Sequence, residues 1–211
     1  MLPIRQYGDP VLKQATRELD EIDGRVAKLV DDMLDTMYAA PGVGLAANQV
    51  GVQRRLFVYD IGDGPQVIIN PRVIETSGEW TFEEGCLSVP GLSWQIVRPN
   101  RIHLVGLDLD GNELSIEAEE YQGRVLQHEV DHLDGALLID RLDEDQRRDA
   151  RRILRARRGR SQLARPPGRE PPPLPGAVGQ SSTRRTPPRR SADLASSTPA
   201  PRAAARYGWS R

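Results

Sequence analysis

The chain holds one cysteine, two lysines and three histidines in 211 residues, and each shortage excludes something. A single thiol, Cys86, leaves no intramolecular disulfide to form. It suits a reducing compartment, where it stays available as a ligand or nucleophile. No window approaches the roughly 18 apolar residues that a membrane-spanning helix needs. The opening MLPIRQYGDP has one basic side chain and no apolar stretch of signal-peptide length. The expectation is a cytoplasmic protein, without membrane association, acting as a monomer. Lys13 and Lys28 are the only lysines, while Arg, Ala, Pro and Gly abound, a bias that fits a GC-rich genome.

The small net charge of −1 conceals an opposition. Residues 1–146 carry 12 Lys and Arg against 27 Asp and Glu, a net −15. Residues 147–211 carry 17 Arg against three acids, Asp149, Glu170 and Asp193, a net +14. An acidic body with a basic arm points to a partner for the arm, and nucleic acid is a common one.

In DEIDGRVAKLVDDMLDTMYAA, Val26, Val30, Met33 and Met37 recur at steps of four, three and four, with Leu29 and Leu34 widening the stripe. That spacing predicts an amphipathic helix ending near Pro41 and Gly42. Short strand-like runs follow: RRLFVYDI, PQVIIN, RVIETSGEW, SWQIVRP and RIHLVGLDL, with DGN at 110–112 as a hairpin turn into ELSIEAEE. The stretch 121–133 reads as a second helix, and 143–158 as a third. Beyond Gly159 lie ten of the 17 prolines and no apolar period, so 159–211 is expected to be a disordered Pro/Arg-rich tail. The expected architecture is one α+β domain over 1–158.

The chemistry concentrates in RVLQHEVDHLDG, residues 124–135. On a helix, positions i and i+4 share a face, so His128 and His132 can point at one metal ion. Glu129, one step round, reaches a water rather than the ion. Two incidental histidines on a surface helix are the bland alternative. His103, in an alternating run, reads as an ordinary strand residue. Between His132 and the basic arm there is no histidine, and the acids all lie close to the helix, so the third ligand familiar from peptidases with this motif is missing. Upstream, EGCLSVPG at 84–91 holds Cys86 after a glycine at a strand end. It is a candidate third ligand, and Cys-His-His with one open position is a catalytic arrangement; a buried structural cysteine is the competing reading. In GVGLAANQVG, residues 42–51, Gly42 and Gly44 allow a backbone to approach a ligand closely, and Gln49 could set an amide donor over a reacting oxygen. Tight packing of a loop explains the same run without function.

Together GVGLAANQ, EGCLS and QHEVDH resemble the three signature motifs of the peptide deformylases, in the same order and at similar spacing, over roughly residues 3–145. The resemblance implies antiparallel sheets packed around a central metal-bearing helix, and removal of the formyl group from formyl-methionine at the start of nascent polypeptides. It implies Cys86, His128 and His132 as ligands of ferrous iron, with nickel or zinc as alternatives, and oxygen sensitivity if iron is held. Glu129 becomes the group that takes a proton from water and delivers it to the departing amine. The Gln49 amide and the Leu87 N–H would hold the oxyanion. Backbone groups near Gly44 and Gly91 would align the peptide as an added strand, with Val43, Tyr121 and Val125 around the methionine side chain.

One departure stands out. Some members place an arginine three residues after the proline of the second motif, where this chain runs Pro90, Gly91, Leu92, Ser93. Arg98 is expected instead to pair with Asp131 behind the helix. Members can also carry a C-terminal helix that contacts the ribosome. EDQRRDARRILRARRGR, with Ile153 and Leu154 as sparse anchors, is the candidate, polar on nearly every face and so stable only against a partner such as ribosomal RNA. Two further classes remain open: a metallopeptidase with another third ligand, and a non-catalytic RNA-binding protein with a structural metal. Gln49, Cys86 and Glu129 together argue against both.

Overall fold

Asp23 starts the first helix: its carboxylate accepts from the Arg25 and Val26 amides, at 3.0 and 3.1 Å, satisfying donors that the helix leaves open. This helix, α1, runs Gly24–Ala39. The computed structural model describes residues 1–163. As the spacing predicts, Val26, Val30, Met33 and Met37 are buried, with Leu29 and Leu34 partly so.

Five strands form one antiparallel sheet: β1 (Gly44–Ala46), β2 (Leu56–Tyr59), β3 (Gln66–Ser77), β6 (Arg101–Leu107) and β7 (Glu113–Glu119), ordered β1-β2-β3-β6-β7. Between β3 and β6 in sequence, β4 (Trp80–Gly85) and β5 (Ser93–Arg98) pair antiparallel as a separate hairpin. Side chains alternate across a strand, and β2 shows the consequence. Leu56 and Val58 join the cluster built on α1, while Phe57 and Tyr59 join the cluster on the opposite face. All four are buried because both faces of the sheet are covered.

The second face is covered by α2 (Glu120–Leu133), whose Val125, Leu126, Val130 and Leu133 pack on Phe57, Ile68 and Leu104. Its residues 123–133 are all buried, since the β4–β5 hairpin closes over the other side: Arg124 donates to the carbonyls of Ile96 (3.1 Å) and Trp80. The expected α+β arrangement, antiparallel sheets around a central helix, is the one observed.

Three features depart from the sequence reading. PQVIIN and RVIET are one strand running through Pro71; the pairing with β6 shifts register there, where proline has no N–H for the ladder. Asn70 takes a left-handed φ of 51° and bonds the Leu19 backbone with both ends of its amide. RVIETSGEW, read as one strand, divides at Gly78, whose φ of +71° reverses the chain into β4. Finally, α3 covers Glu144–Leu163, past the expected limit at 158. It is anchored by Ala150 and Leu154, not by Ile153, which is 38% exposed. The rest of the expected tail lies outside the described residues.

Candidate metal centre

One helical turn separates His128 from His132, and their rings stand 4.9 Å apart at 75°. Cys86 reaches them because β4 ends at Gly85 and the chain turns at once: the Val89 amide donates to the Cys86 carbonyl (2.9 Å) and the Ser88 amide to its sulfur (3.4 Å). Sγ then lies 3.3 Å from His132 Nε2, and one donor atom from each of the three residues falls within 4.8 Å of the others.

One thiolate and two imidazoles suit a divalent transition ion. One buried atom beside the cluster, Glu129 Oε2, has no hydrogen-bond partner among the described residues, so a further polar group would be accommodated there. The residues therefore fit a metal ion and an attendant polar reactant.

Glu129 sits within this enclosure at 4% exposure, and burial pushes its carboxyl up to about 7. Gly44 faces it so closely that a Cβ there would lie 2.3 Å from Glu129 Oε1, which explains glycine at this point. Gln49 is pinned by its own carbonyl, which accepts from the Ala46 amide at 2.8 Å. Its Nε2 donates to Ser88 Oγ at 3.1 Å and makes a long 3.8 Å approach to Cys86 Sγ.

Behind the ligands lies a buried ionic network that the sequence reading half found. Arg98 does meet Asp131, Nη1 to Oδ2 at 2.6 Å, and Arg141 donates to the same carboxylate at 2.9 Å. Its centre, however, is Glu84, with no exposed surface. Glu84 accepts from Arg98 (2.7 and 3.0 Å), from Arg124 (2.8 Å) and from His128 Nδ1 (2.9 Å). Burial alone would raise the Glu84 carboxyl, but the bonds from His128 and Arg98 outweigh it and hold the group far below the usual carboxylate range. An ionised Glu84 requires the proton of His128 on Nδ1, which makes Nε2 the nitrogen that could bind a metal ion. Burial lowers His128, yet its bonds to Cys86 and Glu84 leave it well above its ordinary value; burial and the neighbouring His128 push His132 well below. The missed signal for Glu84 was its strand phase. Trp80, Phe82 and Glu84 alternate on one face of β4, so a charge follows two aromatic residues into the interior.

The cluster opens into a cavity of about 560 Å³. Val43, Gly44, Gln49, Leu87, Gly91 and Val125 line it together with Cys86, His128 and Glu129. Tyr121 does not. Seven residues before His128 is about 10 Å along a helix axis, and the Tyr121 ring instead meets Phe82 edge-on at 5.9 Å. The N-terminal arm, unremarked in the sequence, supplies Ile4 and Gln6 to the wall. It is held there by bonds from the Arg5 amide to the Gln49 carbonyl (2.6 Å) and from the Tyr7 amide to the Ser88 carbonyl (2.8 Å).

Residues 1–148 match the family model described as polypeptide deformylase. A peptide deformylase from Clostridium botulinum (strain Alaska E43 / Type E3) is 54% identical over 138 residues, spanning 65% of this chain and 94% of that protein. The crystal structure of a peptide deformylase from Legionella pneumophila superposes with a TM-score of 0.72 at 40% identity, covering 79% of this chain and 99% of that one. A peptide deformylase from Ehrlichia chaffeensis, solved in complex with actinonin, superposes with a TM-score of 0.71 at 40% identity, covering 74% and 97%. By sequence and by fold, the chain belongs to the peptide deformylase family.

Proposed function

We propose that this cavity is where the enzyme, a peptide deformylase, removes the N-formyl group from formyl-methionine of nascent polypeptides, with Cys86, His128 and His132 holding one ferrous ion. A divalent ion in that site supplies Lewis acidity, which lets water act as a nucleophile at neutral pH. Glu129 takes the water's proton as oxygen bonds to the formyl carbon, and passes it to the amine nitrogen as the C–N bond breaks, leaving formate and a free amino terminus. The Gln49 amide, whose long approach to sulfur is its weakest bond, and the Leu87 N–H hold the charge that develops on the formyl oxygen. Backbone groups at Gly44 and Gly91 align the peptide, and Val43 and Val125 receive the methionine side chain.

The observation that carries this assignment is Glu129. It is a buried carboxylate with an unpartnered oxygen, beside three metal-ligating atoms and behind a glycine that leaves it room.

Among the described residues no helix is long and apolar enough to cross a membrane. The outward arginines of α3, including Arg148, Arg152 and Arg155, support contact with ribosomal RNA; in this reading residues 1–158 are the catalytic unit of a cytoplasmic monomer. Anaerobic protein loaded with ferrous iron should release formate from formyl-Met-Ala-Ser, do nothing to acetyl-Met-Ala-Ser at comparable rate, and lose activity to actinonin. Absence of formate release from folded, metal-loaded protein would overturn the assignment. Ribosome binding that is insensitive to salt would overturn the arginine-driven contact.

A further inference from the structure

Helix α3 turns one stripe toward the domain: Arg147, Ala150, Leu154 and Arg157, at steps of three, four and three. Ala150 and Leu154 are buried in the cluster that contains Cys86 and Val89. The two arginines at the ends of the stripe donate to backbone carbonyls. Arg147 Nη2 reaches the carbonyls of Asp140 (2.8 Å) and Leu142 (2.7 Å), closing the turn before the helix. Arg157 reaches across 67 residues of sequence: Nη1 donates to the Pro90 carbonyl at 2.7 Å, and Nη2 lies 3.5 Å from the Gly91 carbonyl. Off this stripe, Arg148 and Arg152 pair instead with Asp145 and Asp149 on the helix surface.

Pro90 and Gly91 line the catalytic cavity. They form the outer half of a loop whose inner half carries Cys86. The inner half is fixed independently, by the Val89 amide on the Cys86 carbonyl, the Ser88 amide on the sulfur and the Tyr7 amide on the Ser88 carbonyl. The outer half reverses at Gly91, φ +67°, and its two carbonyls are held by the Arg157 fork. A guanidinium is suited to this, since it places two donors in one rigid plane where an ammonium offers a point charge.

We infer that Arg157 is a positioning residue for substrate: from α3 it fixes the Pro90 and Gly91 carbonyls, and so the part of the cavity rim that a peptide passes beyond its methionine. Because the metal ligand is anchored separately, loss of Arg157 loosens the rim without disturbing the metal. The C-terminal helix is thereby a component of the substrate site. The inference rests on the deformylase assignment.

The test compares full-length parent, Arg157→Ala, Arg157→Lys and, as a control on α3, Ile153→Ala, each with its metal content measured, on formyl-Met-Ala-Ser and on the shorter formyl-methioninamide. Arg157→Ala should raise KM for the tripeptide about three- to tenfold, the range for one ordinary hydrogen bond, since these bonds are exposed to solvent. Its kcat and metal content should hold, and KM for the short substrate should change less. Arg157→Lys should fall between parent and Arg157→Ala, and Ile153→Ala should match the parent. A tripeptide KM for Arg157→Ala equal to the parent's overturns the inference. So does an equal loss on both substrates accompanied by lost metal, which marks a purely structural residue. A parent that releases no formate overturns the assignment itself, and this inference with it.

Discussion

Glu84 and Asp145 are both carboxylates bonded to arginine, in opposite surroundings. Glu84 is fully buried and gathers Arg98, Arg124 and His128 around one side chain. Asp145 meets Arg148 one turn along α3, where both side chains are more than 70% exposed. In the interior no water replaces a lost partner, so removing one charge strands the others at about 3–5 kcal/mol. On the surface water does replace it, and such pairs contribute about 0.2–1 kcal/mol. The buried network therefore holds the His128 imidazole in one tautomer and orientation. The surface pairs leave α3's arginines exchangeable, available to an outside anion.

The sharpest break of that comparison is Glu84→Ala. Arg98 and Arg124 would be left buried without their shared carboxylate, and stability should fall by about 3–5 kcal/mol, read as a lower denaturant midpoint. Glu84→Gln keeps the shape and removes the charge; metal affinity should fall about 10- to 100-fold, measured by chelator competition. Next in size is Gln49→Leu, which removes the amide proposed to hold the oxyanion while leaving Cys86, His128 and His132 in place. Its kcat should drop about 10²- to 10³-fold at unchanged metal content. On the surface, Asp145→Asn and Asp149→Asn should each shift stability by less than about 1 kcal/mol and should leave kcat untouched. Loss on the scale of Glu84→Ala would erase the distinction between inside and outside.

The smallest effect belongs to Tyr38, 41% exposed, whose hydroxyl donates to Asp60 at 2.7 Å. Partial burial and then the Asp60 bond push it up to about 12 from an ordinary 10.0. A group whose folded pKa is raised stabilises the fold fully below its unfolded value and loses that contribution as pH rises through the folded one. The difference in denaturation midpoint between parent and Tyr38→Phe should therefore be constant up to about pH 10 and shrink between pH 10 and 12. A difference that grows over that range would contradict the sign.

The Cys86, His128 and His132 cluster was legible because two of them lie on one helical turn and the third is the only cysteine. Arg98–Asp131 was anticipated only as a pairing in place of the arginine that the second motif lacks. Glu84 and Arg124 were not, since their partners lie between 14 and 44 residues away and charge in a strand ordinarily signals a solvated face. Proline misled at Pro71, where a bulge with left-handed Asn70 lets the strand continue, and three-residue β1 was hidden in a run of small residues that reads as a loop. Tyr121 was placed by helical phase alone, which fixes direction around the axis but not distance along it. The reach of α3 to Pro90 and Gly91 depends on how the helix docks, and no local pattern encodes that.

The proposed function divides labour at the metal: Cys86 is a ligand, and Glu129 is a proton carrier that holds no metal. Metal content and formate release from formyl-Met-Ala-Ser, measured side by side on anaerobic parent, Cys86→Ala and Glu129→Ala, test it directly. Cys86→Ala should lose both metal and activity. Glu129→Ala should keep its metal and fold while losing at least about 10²-fold in rate. Full metal in Cys86→Ala, or an undiminished rate in Glu129→Ala, would contradict it.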